Sequence, residues 1–323
     1  FGICYNPDFI ERLKLPPPRS WQDLGNPGYK GTLALADPTK SGSVARTFEL
    51  IVQSEILKAL AAQPSQRDAA LESGWAAGLQ LIQRMSANAR YFTDSASKIP
   101  HDVGQGNAAA GMCIDFYGRS YANSLTSQSG RPRVVWIAPT GGTTLSADPI
   151  GVLKGAPNPE IAQAFVEFCL TKKAQRLWFA KPGTPHGPVE RALHRTPIRR
   201  DLYTPEILEH TTMPDNLPYE NDANFTYQPE LTGKSFSTLR KLVKAMCIDS
   251  HDEMKSAWAA LADAGMPADA LAVFNDVSIM TYAKGGHGDP NFSSKDPLAS
   301  ARYSASMGKW FRANYRKAEQ MAK

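Results

Sequence analysis

LALADPTKSGSVARTFEL, residues 33–50, carries the reading of the fold. Leu33-Ala34-Leu35-Ala36 is an unbroken apolar run between Gly31 and Pro38, the pattern of a buried strand. Asp37-Pro38-Thr39-Lys40 is a turn, because proline presets φ and aspartate closes local hydrogen bonds. Ser41-Gly42-Ser43 then opens a helix with Val44, Phe48 and Ile51 at helical spacing. A strand that ends in small residues at a helix start presents unpaired backbone N–H groups and the positive end of a dipole. Such a turn can hold an anion or the polar end of a ligand. The same serines also serve as an ordinary cap of the first turn.

The pattern extends in both directions. FGICYN at residues 1–6 reads as a strand, and Ser20 caps a short helical turn over Trp21–Leu24. Helices are expected over residues 47–61 and 67–85, a strand over 89–93, and a short helix over 102–109. AGMCIDF at 110–116 and RVVWIA at 133–138 are strand-like, and Ile150–Lys154 is a further short strand. Ile161, Ala164, Phe165 and Phe168 define an amphipathic helix over 160–170. Alternating strands and crossover helices predict an α/β fold with largely parallel sheet. Residues 201–230 are rich in Pro, Asn and Asp. Helices follow over 235–246, 252–264 and 267–277, and a last one over 297–322 has Asp296 as N-cap and Pro297 at its first position.

Composition excludes several classes. Apolar residues make up 42% of the 323 residues and charged ones 21%, ordinary for a globular protein with a core. The net charge of +5 is scattered, and the densest basic patch, His194-Arg195 with Arg199-Arg200, has no interleaved aromatics, so no nucleic-acid partner is expected. No apolar run reaches the ~20 residues of a membrane span. Cys4, Cys113, Cys169 and Cys247 form no C-x-x-C pair and each lies in an apolar context, as buried structural thiols do. Four thiols could close two disulfides, with connectivity open. The six histidines are dispersed, which speaks against a histidine metal site. The chain begins at Phe1 without a signal peptide, as expected of a processed product or a fragment.

Two motifs are decoys. Thr232-Gly233-Lys234-Ser235 ends like a phosphate-binding loop, but Gln228 stands where that motif needs its first glycine. Gly104-Gln105-Gly106 imitates a dinucleotide fingerprint without a preceding strand. Ser41 lacks the flanking glycines of a nucleophile elbow. Two other turns are ligand candidates. Asp115 and Tyr117 close the 110–116 strand with a carboxylate and a phenol, a hard donor suited to a ferric ion or a hydrogen-bonding group for an organic solute. Thr140 and Thr143 lie in a Gly-rich loop after the 133–138 strand, where open α/β sheets bind ligands. Each also reads as an ordinary strand end or loop.

The order of these pieces resembles the extracellular solute-binding proteins of ABC transporters, in the group that includes ferric-ion binders. The matching stretches are FGICYN at 1–6, the W-x-D-L and N-P-x-Y-K-G stretch at 21–31 and LALADPTKSGS at 33–43. VGQGNAAAGMCIDFYG at 103–118, VVWIAPTGGT at 134–143 and GAPNPEIAQAFVEFCLTKKAQRLW at 155–178 complete them. The resemblance implies a bilobal, type II periplasmic-binding fold that closes like a hinge and is read by a membrane permease. It implies a secreted, periplasmic or extracellular, non-catalytic protein, expected to be a monomer without a resident cofactor.

On this resemblance residues 1–135 are the central lobe, beginning at the crossover strand. Residues 136–200 return to the first lobe, whose start looks absent, and 201–323 are a mostly helical extension outside the family pattern. Ser41, Gly42, Ser43, Asp115, Tyr117, Thr140 and Thr143 become the expected ligand contacts. The ferric binders carry adjacent tyrosines where this chain has Phe116-Tyr117. A small anionic organic solute, of phosphate or phosphonate type, is therefore favoured over a ferric ion held by Tyr117 with Asp115, Tyr121 or donors outside this sequence. Two other classes make distinct demands. An enzyme on this fold would use Cys113 or Asp115 as nucleophile or base. A structural adaptor would expose an apolar patch on Ser235–Ala322.

Overall fold

The computed structural model describes residues 1–125, 130–215, 217–220 and 224–323. Five strands form one sheet in the order β3-β2-β4-β1-β5. They are β1 (Gly2–Tyr5), β2 (Leu33–Ala36), β3 (Ala89–Thr93), β4 (Ala110–Cys113) and β5 (Val135–Ile137). β2 runs parallel to β3 and β4, because helices carry the chain back between them. β1 runs antiparallel to both β4 and β5, pairing Gly2 with Cys113 and Ile3 with Ile137. The sheet is thus mixed rather than largely parallel. Strand–helix alternation dictates parallel pairing only for strands joined by a crossover, and β1 is not joined to either neighbour in that way.

The crossover from β2 to β3 is a helical hairpin, α1 (Gly42–Ala62) and α2 (Arg67–Ala87). Glycines let its backbones touch: a Cβ on Gly74 would sit 2.4 Å from Ile56 Cα, and one on Gly78 2.7 Å from Val52 Cα. Helix α3 (Lys98–Gln105) packs against β1, β2 and β4, and ends at Gly106, whose φ of 77° suits a residue without Cβ. Its range lies N-terminal to the 102–109 helix expected from sequence. Helix α4 (Asp115–Ser124) begins where the sequence suggests a strand end, because β4 stops at Cys113. Residues 150–154 form no strand. Helix α5 (Pro159–Leu170) follows.

The C-terminal segment carries α6 (Phe236–Val243), α7 (His251–Asp263) and α8 (Pro297–Ala322). Part of the Pro/Asn/Asp-rich stretch before it, residues 216 and 221–223, lies outside the described residues. The segment shares one hydrophobic core with the sheet: Trp21, Phe48, Trp75, Trp258, Phe274, Phe311 and Tyr315 are fully buried in it. Buried indoles bolt the halves together. Trp258 Nε1 donates to Asn88 Oδ1 at 2.7 Å, and Trp75 Nε1 donates to the Met280 carbonyl at 2.8 Å. Phe179, Leu202, Ile207 and Met213 form a second, small core.

Candidate functional site

The strand directions decide where the candidate turns meet. β2, β3 and β4 are parallel, and β5 shares their direction because β1 is antiparallel to both β4 and β5. The turns at Asp37–Ser43, Asp115–Tyr117 and Pro139–Thr143 therefore leave the same edge of the sheet, at the carboxyl ends of β2, β4 and β5. This is the edge at which open α/β sheets receive ligands.

The first turn is tightly specified. Asp37 donates its backbone N–H to the Thr93 carbonyl at 2.8 Å, which extends the β2–β3 pairing by one residue. Its Oδ1 accepts from the Thr39 N–H at 2.8 Å and the Thr39 hydroxyl at 2.6 Å, and its carbonyl accepts from the N–H groups of Lys40 and Ser41. Ser41 is the N-cap of α1, its Oγ accepting from Val44 N–H at 3.4 Å. That bond is long, so the cap is weak. Gly42 and Ser43 occupy the first turn, where N–H groups have no intrahelical acceptor. Gly42 is exposed, and no atom lies within 4 Å of where its Cβ would be. The helix start is open to an incoming group.

The second turn lies on a helix start. Asp115 is the first residue of α4, where its charge complements the helix dipole. The Tyr117 ring packs on Phe116 with centroids 4.3 Å apart, and both are half-buried. Around them lies a cationic and aromatic flank that the sequence motifs did not assign to the site. The Arg119 guanidinium stands 4.4 Å from the Trp136 ring and Arg195 4.0 Å from the Phe116 ring. Arg195 is also ion-paired with Asp148. Burial and the Arg119 charge both hold the His194 imidazole below its usual range. Phe116 and Arg119 share one helix face by their spacing of three, which is the signal that could have joined them in the sequence.

The third turn splits its hydroxyls. Thr143 is 5% exposed, its Oγ1 accepting from the Phe1 amino group at 3.4 Å and its carbonyl from Phe225 N–H at 3.1 Å. Thr140 is exposed and tied by its N–H to the Arg19 carbonyl at 2.9 Å. Trp21 Nε1 donates to the Gly142 carbonyl at 2.8 Å, and a Cβ there would strike the indole at 2.6 Å. Asp115, Tyr117 and Thr143 thus lie beyond neighbouring strand ends, with Thr143 buried and Thr140 exposed. Among the described residues no hydrogen bond links the Ser41–Ser43 turn to the Asp115–Tyr117 turn. A recess of about 640 Å³ lined by Asn6, Asp8, Glu11, Arg12, Gln105, Gly106 and Arg133 opens at the opposite sheet edge and contains none of these residues.

Other chemistries find little footing. Among the described residues no group of three or more His, Cys, Asp or Glu is placed to hold a metal ion. Cys113 is 3% exposed, and burial with the neighbouring Cys4 thiol pushes it well above the usual thiol range. It stays a thiol at neutral pH and is no nucleophile.

The three candidate turns thus gather at one edge of the sheet, with a capped but open helix start among them. The profile of the bacterial extracellular solute-binding proteins matches residues 1–197, and the chain belongs to that family. The fold class read from sequence stands, as a periplasmic-binding-type α/β fold with a mixed sheet and a C-terminal helical segment. Membership places the chain in the periplasm or outside the cell, in a family that binds and does not catalyse. The chain is 27% identical over 189 residues to the phosphoglycerate transport regulatory protein PgtC of Salmonella typhimurium, covering 58% of this chain and 41% of that protein. It is 24% identical over 177 residues to an uncharacterized protein of Haemophilus influenzae, covering 54% and 44%. The chain thus spans less than half the length of these curated relatives. Among solved structures, the periplasmic binding protein AfuA of Actinobacillus pleuropneumoniae, with exogenous fructose-6-phosphate bound, is 21% identical with a TM-score of 0.42. That likeness covers 54% of this chain and 48% of AfuA.

Proposed function

We propose that this chain is the solute-binding component of an ABC importer and captures a small anionic organic solute, of phosphate or phosphonate type, by hinge closure. The observation that carries this reading is the meeting of the open α1 start with the Asp115–Tyr117 and Thr140–Thr143 turns at one sheet edge. Ser41, Gly42 and Ser43 supply hydroxyls and first-turn N–H groups to the anionic end. Asp115, Tyr117, Thr140 and Thr143 contact the rest of the solute once the lobes close. PgtC, whose name assigns it to phosphoglycerate transport, supports a phosphorylated solute. A membrane permease would take the solute from the closed form.

The lobe assignment belongs to the same proposal. Residues 1–135 form the central lobe, 136–200 return to the first lobe, and 201–323 are a mostly helical C-terminal extension. Supporting this, α5 has no buried residue, and Leu153, Ile161, Phe165 and Val189 are 82%, 70%, 58% and 92% exposed. A lobe interior is where such side chains belong. The adaptor reading loses its footing by the same measure, since within 235–322 only Leu298 and Met321 are exposed large apolar residues. A ferric cargo on Tyr117 would need several anionic oxygens, and Asp115 is the one carboxylate in the same turn.

A thermal-shift screen with phosphate esters, phosphonates, inorganic phosphate, ferric salts, polyamines and thiamine tests the reading. A concentration-dependent rise with a phosphate ester is expected, because a ligand that binds only the folded state stabilises it. A rise with ferric salts alone would transfer the function to iron. No rise with any solute would remove the transport reading.

A further inference from the structure

Among the described residues, no backbone N–H outside the helices and strands donates to the Pro38 or Thr39 carbonyl of the Asp37–Ser43 turn. A single side chain from the far end of the chain takes both. Arg240, on α6, donates from Nε to the Pro38 carbonyl at 2.8 Å and from a terminal nitrogen to the Thr39 carbonyl at 2.6 Å. Thr39 is held from its other side by Asp37. The fork of one guanidinium therefore fixes two consecutive peptide planes, Pro38–Thr39 and Thr39–Lys40, one peptide short of Ser41.

Arg240 is itself held in place. The Phe236 ring lies beside both Arg240, at 5.8 Å, and Arg46 of α1, at 5.5 Å. Arg46 also faces the Tyr227 ring at 4.9 Å and pairs with the buried Glu49 at 2.7 Å. Tyr227, Phe236 and Arg240 thus pack on the first turns of α1 and the loop that leads into it. All three lie beyond the family match, which ends at residue 197.

We propose that Arg240 is a positioning residue for the solute site, so that the C-terminal helical segment sets the conformation of the Asp37–Ser43 turn. The inference rests on the function proposed above. Arg240 does not touch the solute. It orients the Pro38–Thr39 and Thr39–Lys40 peptides, which lead into Ser41 and the first-turn N–H groups of α1.

Two readouts on Arg240→Gln, Arg240→Lys and a control, Arg316→Gln, test it. Arg316 forms an exposed pair with Glu253 in the same segment and donates no hydrogen bond to the Asp37–Ser43 turn. The first readout is amide hydrogen exchange in the unliganded protein. Arg240→Gln should exchange about tenfold faster at Lys40–Val44 and at the wild-type rate in α7 and α8. The second is calorimetric affinity for phosphoglycerate and inorganic phosphate. Arg240→Gln should bind about tenfold more weakly, Arg240→Lys should recover part of the loss, and Arg316→Gln should match wild type. Unchanged exchange at Lys40–Val44, or unchanged affinity in a wild type that does bind, would overturn the positioning role and leave the proposed function intact. Faster exchange in α7 and α8 as well would make Arg240 merely structural. A wild type that binds neither probe nor any other anion would overturn the function, and the positioning role with it.

Discussion

The Tyr227 hydroxyl donates to the Glu49 carboxylate at 2.6 Å, joining the C-terminal segment to the helix that starts at the Asp37–Ser43 turn. Glu49 is fully buried and also accepts from the Thr232 hydroxyl at 2.9 Å and from Arg46 at 2.7 Å. A buried carboxylate survives only with such partners. Removing it strands two hydroxyls and one guanidinium, of which Arg46 can rehydrate because its side chain is 39% exposed. Glu49→Ala should therefore cost about 3 kcal/mol, the lower end of the range for broken buried pairs. Urea unfolding checks this, and a loss under about 1 kcal/mol would mean the pair is dispensable.

The α1–α2 contact makes a second prediction. Ala at position 74 would gain about 1 kcal/mol of helix propensity. Its Cβ would also fall 2.4 Å from the Ile56 Cα, a backbone atom that cannot swing aside. The clash outweighs the gain, and Gly74→Ala should destabilise by about 2 kcal/mol net. Gly42→Ala, with open space around its Cβ, should change stability by less than about 0.5 kcal/mol. Equal effects at the two positions in chemical unfolding would contradict the packing.

Much of this hairpin was legible beforehand. The 3.6-residue apolar repeat located α1 and α2, and the Asp296-Pro297 cap placed the start of α8 where it is found. β3 was legible because it is short, apolar at its start and bounded by turns. The antiparallel run of β1 was not, since strand direction depends on which strand it pairs with and not on its own residues. Asp115–Tyr117 read as a strand end because AGMCIDF is continuously apolar up to Asp115, although the helix starts there. The candidate turns were chosen by residue type, and the strand directions bring them to one sheet edge. Arg240 was invisible, because its partners lie about 200 residues away and no periodicity records such a contact.

Stability should fall in mild acid. Burial is the main cause that holds His251 below its usual range, with the nearby Lys255 charge adding to it, while Asp252 and hydrogen bonds to the Ser86 and Ala89 backbone oppose them. His194 is lowered in the same direction by burial and Arg119. The unfolded chain then binds more protons than the folded one below the ordinary histidine value of about 6.5. The histidine contribution is complete above that pH and is lost as pH falls toward the folded values. In urea titrations from pH 7.5 to 5, His251→Gln should flatten part of the slope, and an unaltered slope would contradict the assignment.

Thiol reactivity should divide the cysteines. Cys4, Cys113 and Cys247 are buried, and burial pushes Cys247 up to about 12. Cys169 is only half-buried. A disulfide reagent at neutral pH should label one thiol quickly in the native protein and all four in urea. Rapid native labelling of Cys113 would contradict its buried place on β4.

The central claim is that the start of α1 receives an anionic solute, and calorimetric titration with phosphoglycerate of the wild type and of the Ser41→Ala, Ser43→Ala double variant tests it most directly. The account predicts saturable binding by the wild type, weakened in the variant by more than about 1 kcal/mol, roughly fivefold. Equal affinity in both proteins would reduce the two serines to helix caps and contradict the claim.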